Sequence, residues 1–203
     1  MVNELLTGLV AEIRRCRICR DAPRGRPLPH EPRPVLQPSA TARILIAGQA
    51  PGIRVHASGR PFTDPSGDRL RLWLGTGPDI FYDPTRIAIL PMGFCFPGLS
   101  AKGSDLPPRP ECAAAWRARL LALMPQVELV ICLGAHAAHW HLGGTWPGSL
   151  GAAVAGWRQW LERSPPVFVL PHPSWRNNSW LKANPWFEVE LLPVLRQAVA
   201  ARL

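Results

Sequence analysis

The chain has 203 residues, 47% of them hydrophobic, and a mean hydropathy of zero, which describes one globular domain with a substantial core. No apolar run approaches the roughly 18 residues that span a bilayer, and Met1–Arg20 lacks a secretory apolar segment followed by a cleavage site; the expected compartment is the cytoplasm. A net charge of +9 and a pI near 10.6 point to a polyanionic partner, carried almost wholly by arginine, because Lys102 and Lys182 are the only lysines.

In chain order, Leu5, Leu6, Leu9, Val10 and Ile13 fall on one face of a helix over residues 3–15. Cys16-Arg17-Ile18-Cys19 ends it, and a Pro/Arg-rich surface connection runs from Arg20 to Ala42. Arg43–Ala47 has the composition of a buried strand. A Pro/Gly turn, Gln49-Ala50-Pro51-Gly52, follows Gly48, then a polar loop, then a helix from Arg69 to Leu74. A second strand covers Arg86–Leu90 and runs into Pro91–Cys95, and a Gly/Pro/Ser loop from Pro97 to Pro110 contains Lys102. Pro110 suits the first position of a helix reaching Met124. Strand three, Leu129–Leu133, stops at Gly134 and leads into a helix over Ala135–Leu142. Residues 143–165 read as loop with a short helix at Trp157–Leu161. Strand four, Val167–Leu170, delivers Pro171-His172-Pro173-Ser174, and Asn184-Pro185 signals a last helix that kinks or restarts near Pro193.

Four apolar runs alternating with helices predict an α/β fold, a three-layer α/β/α arrangement around a four-stranded parallel sheet. Right-handed crossovers bring all four carboxyl ends to one edge, where ligands of such sheets bind. That edge gathers the 48–68 loop, Pro91–Pro97, Gly134 and the 171–178 loop. Neither a Walker motif nor G-x-G-x-x-G occurs there, which argues against a nucleotide-binding protein.

The cysteines are Cys16, Cys19, Cys95, Cys112 and Cys132. An odd set containing C-x2-C, in a cytoplasmic chain, points to metal or cluster ligation rather than disulfides. Cys132 lies mid-strand and reads as a small buried hydrophobe. His136, His139 and His141 resemble a metal trio, but helical spacing turns His141 away from the other two, and ordinary core or surface histidines are the default.

Gly48-Gln49-Ala50-Pro51-Gly52, Ser58–Asp68, Leu133–Ala138 and His172-Pro173-Ser174 together resemble the motifs of the uracil-DNA glycosylase superfamily, most closely its iron–sulfur families 4 and 5. Cys16-x2-Cys19 with Cys95-x16-Cys112 is similar to the family-4 cluster spacing, so the resemblance implies a [4Fe–4S] cluster on those four cysteines; four thiolates equally suit zinc. Two departures stand out: Ala50 replaces the aspartate that ends the first motif in family 1, and Pro91–Phe94 lacks the asparagine that reads uracil in families 1 and 4.

The resemblance implies a monofunctional glycosylase that flips uracil, or a related deaminated base, out of DNA and leaves an abasic site. Phe62 would stack on the base, and Gln49 with the amides of Ala50 to Gly52 would bind its polar edge. His172 would stabilise the leaving base. Asp64 would support the electron-poor sugar or orient water, with Asp68 competing for that role and an Asp-Pro helix cap as the plain alternative. Ser174, Trp175, Arg176 and Asn177 would fill or flank the gap left by the flipped nucleotide, and His56 and Lys102 are further candidate DNA contacts. No lysine lies in the motifs, so lyase activity is not expected. A preference for hypoxanthine or xanthine, and a lesion- or abasic-site-binding protein without turnover, are the alternatives.

Overall fold

The computed structural model describes residues 1–203. In order, the chain forms α1 (Val2–Arg14), α2 (Ile18–Asp21), β1 (Ile44–Ala47), α3 (Ile53–Ser58), α4 (Pro65–Leu74), α5 (Pro78–Phe81), β2 (Ile87–Ile89), α6 (Pro110–Ala122), β3 (Leu129–Leu133) and α7 (Ala135–Leu142). It continues through α8 (Leu150–Ala155), α9 (Trp157–Trp160), β4 (Val167–Leu170), α10 (Asn178–Ala183) and α11 (Leu192–Ala200). Short 3-10 turns occupy Gly143–Thr145 and Trp175–Asn177, and a π-turn spans Phe187–Leu191.

The four strands are all parallel, in the order β2-β1-β3-β4. Every residue of every strand is buried, as a parallel sheet requires when helices cover both faces. The α/β/α expectation therefore holds. Because the strands run one way, Gly48, Pro91, Gly134 and Pro171 all leave the sheet at one edge.

Several local expectations need correction. Leu5 sits on the apolar stripe of α1 by spacing, yet it is 58% exposed while Leu6, Leu9 and Ile13 pack inward. The stretch after Gly52 is a helix, α3, not a loop: Arg33 donates to the carbonyls of His56 and Ala57 at 2.8 and 2.7 Å and closes its carboxyl end. The Arg20–Ala42 connection, which composition alone leaves open between an ordered surface course and a partly mobile one, is docked in its second half. Val35 N–H donates to Phe94 O at 2.7 Å, and Gln37 exchanges backbone bonds with Ile89 along the outer side of β2.

Helix α4 begins at Pro65, four residues before the expected start, because Asp64 caps it through a bond from Gly67 N–H at 3.3 Å. Residues 143–165 hold α8 as well as α9, with Ser149 as the cap of α8. Asn184 caps nothing with its side chain; it donates to Trp180 O and accepts from Trp186 Nε1. The expected restart at Pro193 is real, and appears as the passage from the π-turn into α11.

Candidate functional site

The edge where the strands end holds a cleft whose open space, mouth included, is about 590 Å³. Gln49, Ala50 and Gly52 from the turn after β1, Phe62 and Asp64 ahead of α4, and His172 after β4 all line it. Six sequence-selected residues from three segments thus share one cavity.

Phe62 has φ +53, a left-handed conformation rare for a side chain this large. Its surroundings fix it there: Tyr82 Oη donates to its carbonyl at 2.9 Å and Arg71 Nη1 at 3.4 Å. Gly67 presses so close from behind that a Cβ would lie 2.7 Å from the Phe62 carbonyl carbon. The ring meets Phe81 edge-on at 5.9 Å and lies 3.7 Å from where Gly48 would carry a Cβ. A strained aromatic held from several sides at a cavity wall suits a fixed stacking platform.

Gln49 extends over Gly134, whose φ of +83 and missing side chain leave room for the amide. His172 follows the Pro171 turn, and its carbonyl accepts from Asn177 Nδ2 at 2.6 Å, which ties the loop back on itself. Burial pushes the His172 imidazole below the ordinary histidine value; Asp64 and Asp105 pull it up, and Arg176 pulls it down. The ring is therefore neutral at neutral pH, able to donate one hydrogen bond. Asp64 lines the cavity, whereas Asp68 stands outside it and pairs with Arg71 at 2.5 Å.

A wider groove continues from this cavity past His172 and Asp64, and Ser174, Trp175, Arg176 and Asn177 lie along it. Trp175 is 72% exposed. Arg54 and Arg69, which motif reading passed over, also line the groove and add positive charge beside the cavity. Asp105, on the loop before α6, lines both spaces. Sequence reading missed these three because none lies in a motif; only the topology brings them to this edge.

Two candidates are not brought there. His56 lines neither space: its ring sits 4.4 Å from that of His30 and 6.0 Å from that of Phe96. Lys102 is at the exposed tip of its loop, away from cavity and groove. The histidine trio also dissolves, since His141 Nε2 accepts from the buried Arg117 at 2.6 Å and His139 rests against Trp146.

Cys16, Cys19, Cys95 and Cys112 line one small apolar pocket between α1, α2 and α6, with Ile13, Phe94 and Trp116. All are free thiols. Phe94 N–H donates to Cys112 Sγ and Trp116 Nε1 to Cys16 Sγ, each at 3.3 Å. Burial pushes the thiols of Cys19 and Cys95 up to about 11 and about 12, and that of Cys112 up as well. Arg109 opposes the shift at Cys19. No three His, Cys, Asp or Glu side chains are arranged to hold a single metal ion. Cys132 is fully buried in β3, as its strand position implied. No helix is long and apolar enough to cross a membrane.

The family model described as the uracil DNA glycosylase superfamily matches residues 35–196. That range contains every residue of the cavity and the groove and leaves Cys16 and Cys19 outside. With a match of this length on a parallel α/β sheet whose edge carries the site, the chain belongs to the uracil DNA glycosylase superfamily, and its chemistry is that of a DNA glycosylase, a hydrolase acting on DNA in repair.

Proposed function

We propose that this glycosylase removes uracil, or a closely related deaminated base, and that it does so without lyase activity. The observation that carries the reading is the meeting of Phe62, the Gln49–Gly52 turn and His172 around one cleft. A base turned out of the stack would lie on the Phe62 ring, with its polar edge against the Gln49 amide and the backbone of residues 50–52. The neutral His172 imidazole donates to a base carbonyl oxygen as the N-glycosidic electron pair moves onto the base. Asp64 faces the sugar side and offsets positive charge there. The groove past Ser174–Asn177 takes the flanking backbone, with Arg54 and Arg176 positioned for phosphates. Lys102 and Lys182 are the only lysines, and neither lines the cleft, so no amine is at hand for a Schiff base.

The four pocket cysteines fit a [4Fe–4S] cluster as a structural anchor for the amino-terminal helices. Burial keeps Cys19, Cys95 and Cys112 protonated unless a cationic group such as a cluster core takes them as thiolates, and two N–H donors already point at sulfurs of the pocket. Four thiolates equally suit zinc, which is the alternative occupant of the same four cysteines. The basic, arginine-rich composition and a cysteine set suited to a cluster rather than to disulfides support a cytoplasmic location, beside its DNA.

The test is excision from end-labelled oligonucleotides bearing one uracil, hypoxanthine or xanthine, followed by alkali. Cleavage at uracil is the expected result. Cleavage only at a purine lesion would keep the mechanism and replace the substrate. Tight retention of lesion DNA without cleavage would favour a binding protein, the reading that Ala50 supports.

A further inference from the structure

The first-motif turn carries Ala50 where a carboxylate could stand, so the group that serves a nucleophilic water must come from elsewhere. Three aspartates stand near the cleft. Asp68 faces away and is paired with Arg71. Asp64 is committed to the start of α4, where Oδ1 accepts from Gly67 N–H at 3.3 Å and Oδ2 from Ser66 Oγ at 3.2 Å. The third is Asp105.

Asp105 rides on a small hairpin. Leu99 and Asp105 form an antiparallel bridge, Ser100 N–H donates to Ser104 O at 2.8 Å, and Leu106 N–H to Gly98 O at 2.9 Å. These backbone bonds fix its place and leave the carboxylate oxygens without a protein partner. Oδ2 lies 3.5 Å from where a Cβ on Gly52 would stand, at the far end of the Gln49–Gly52 turn. Its charge is felt at His172 across the cleft. An exposed carboxylate with no protein hydrogen bond, on the wall of the same cleft as Ala50, is suited to water rather than to structure.

We propose that Asp105 holds and deprotonates the water that adds to C1′ of the flipped nucleotide. The inference rests on the glycosylase reading above. In the balanced step, the C1′–N bond breaks with its electron pair leaving on the base, which His172 stabilises by hydrogen bonding. The water oxygen bonds to C1′, and its proton passes to an Asp105 oxygen, then to solvent or to the departing base. The hairpin thereby supplies from the β2–α6 connection what the first motif lacks.

Single-turnover excision by Asp105→Asn and Asp105→Ala, on the base that the wild-type protein cleaves, tests the assignment. Asp105→Asn should be slower by about 100-fold or more, with affinity for the lesion oligonucleotide and the urea unfolding curve close to wild type. Added formate should restore part of the rate to Asp105→Ala in a concentration-dependent way, which a merely structural aspartate would not allow. A rate for Asp105→Asn within about 3-fold of wild type overturns the proposal, as does a slow Asp105→Ala that formate leaves unchanged. Wild-type protein that cleaves none of the three bases would instead bring down the glycosylase reading itself, and this assignment with it.

Discussion

Arg69 of α4 donates through Nη1 to the Ser174 carbonyl at 3.0 Å and to Asn178 Oδ1 at 2.8 Å, so the helix capped by Asp64 is fastened to the loop that begins at His172. One side chain thus ties together two of the segments that line the cleft and its groove. Hydrogen bonds from a charged group contribute about 1.5–3 kcal/mol each when well formed. Arg69→Ala should lower kcat/KM for excision by about 10-fold or more, and Arg69→Lys should recover only part, because the ammonium ends a shorter, more flexible stem and is held less firmly at the place Nη1 occupies between the two acceptors. Steady-state excision on one lesion duplex checks this; a wild-type value for Arg69→Ala would mean the two segments hold their places without the tie.

Gly67→Ala is expected to be among the most damaging small substitutions in the chain. The new methyl would collide with the backbone of Phe62, which cannot retreat while Tyr82 and Arg71 hold its carbonyl. A loss of about 2 kcal/mol or more in urea unfolding, together with loss of base binding, is the expected outcome.

His172→Ala should slow single-turnover excision by about 10²–10³-fold, the scale for losing one donor to a developing anion, and leave DNA binding nearly intact. Burial holds the folded-state pKa of this imidazole below the ordinary value of 6.5, so the neutral donor persists to lower pH than an exposed histidine would allow. The wild-type rate should accordingly show no inflection at that value.

Stability should fall as the solution is acidified. His141 protonates near 6.5 in an unfolded chain, but burial and the neighbouring Arg117 and Arg163 push it down to about 3 in the fold. Between those values the unfolded state binds the extra proton, so unfolding becomes easier as pH drops, by at most about 1.4 kcal/mol per pH unit from this group. His141→Gln, which still offers an acceptor to Arg117, should flatten the dependence seen in thermal melts. His56, His136 and His172 are shifted the same way and should leave a shallower residual slope.

Protein purified without oxygen should carry iron and absorb in the visible, and Cys112→Ser should reduce both. Removing the iron should lower the unfolding temperature and loosen α1 and α2 first, read by amide exchange. Metal analysis that finds neither iron nor zinc would refute the four-cysteine site.

The sheet was legible because its strands are short apolar runs with no polar interruption, a pattern that only a doubly covered parallel sheet tolerates. Gln49 and His172 were legible because each lies in a motif directly beyond a strand end, and Phe62 because it lies in the Ser58–Asp68 motif just before α4. The failures have a common physical origin. Helix α3 has no apolar periodicity to announce it and depends on Arg33, about twenty residues earlier, to close its end. Asp105 and Arg69 act from a hairpin and a helix face, where function depends on what the fold brings opposite. Leu5 was misassigned because the face that α1 presents to α6 is narrower than the stripe its spacing suggested.

Gln49 and Gly134 occupy each other's space: the amide lies where any side chain after β3 would have to go. The backbone there, at φ +83, already disfavours anything but glycine. A side chain at 134 and the present pose of Gln49 thus exclude each other. A relative that gains a side chain at the second must shorten or redirect the first, and with it the amide proposed to meet the polar edge of the base. Variation at this inconspicuous glycine should therefore track changes in which damaged base a relative accepts.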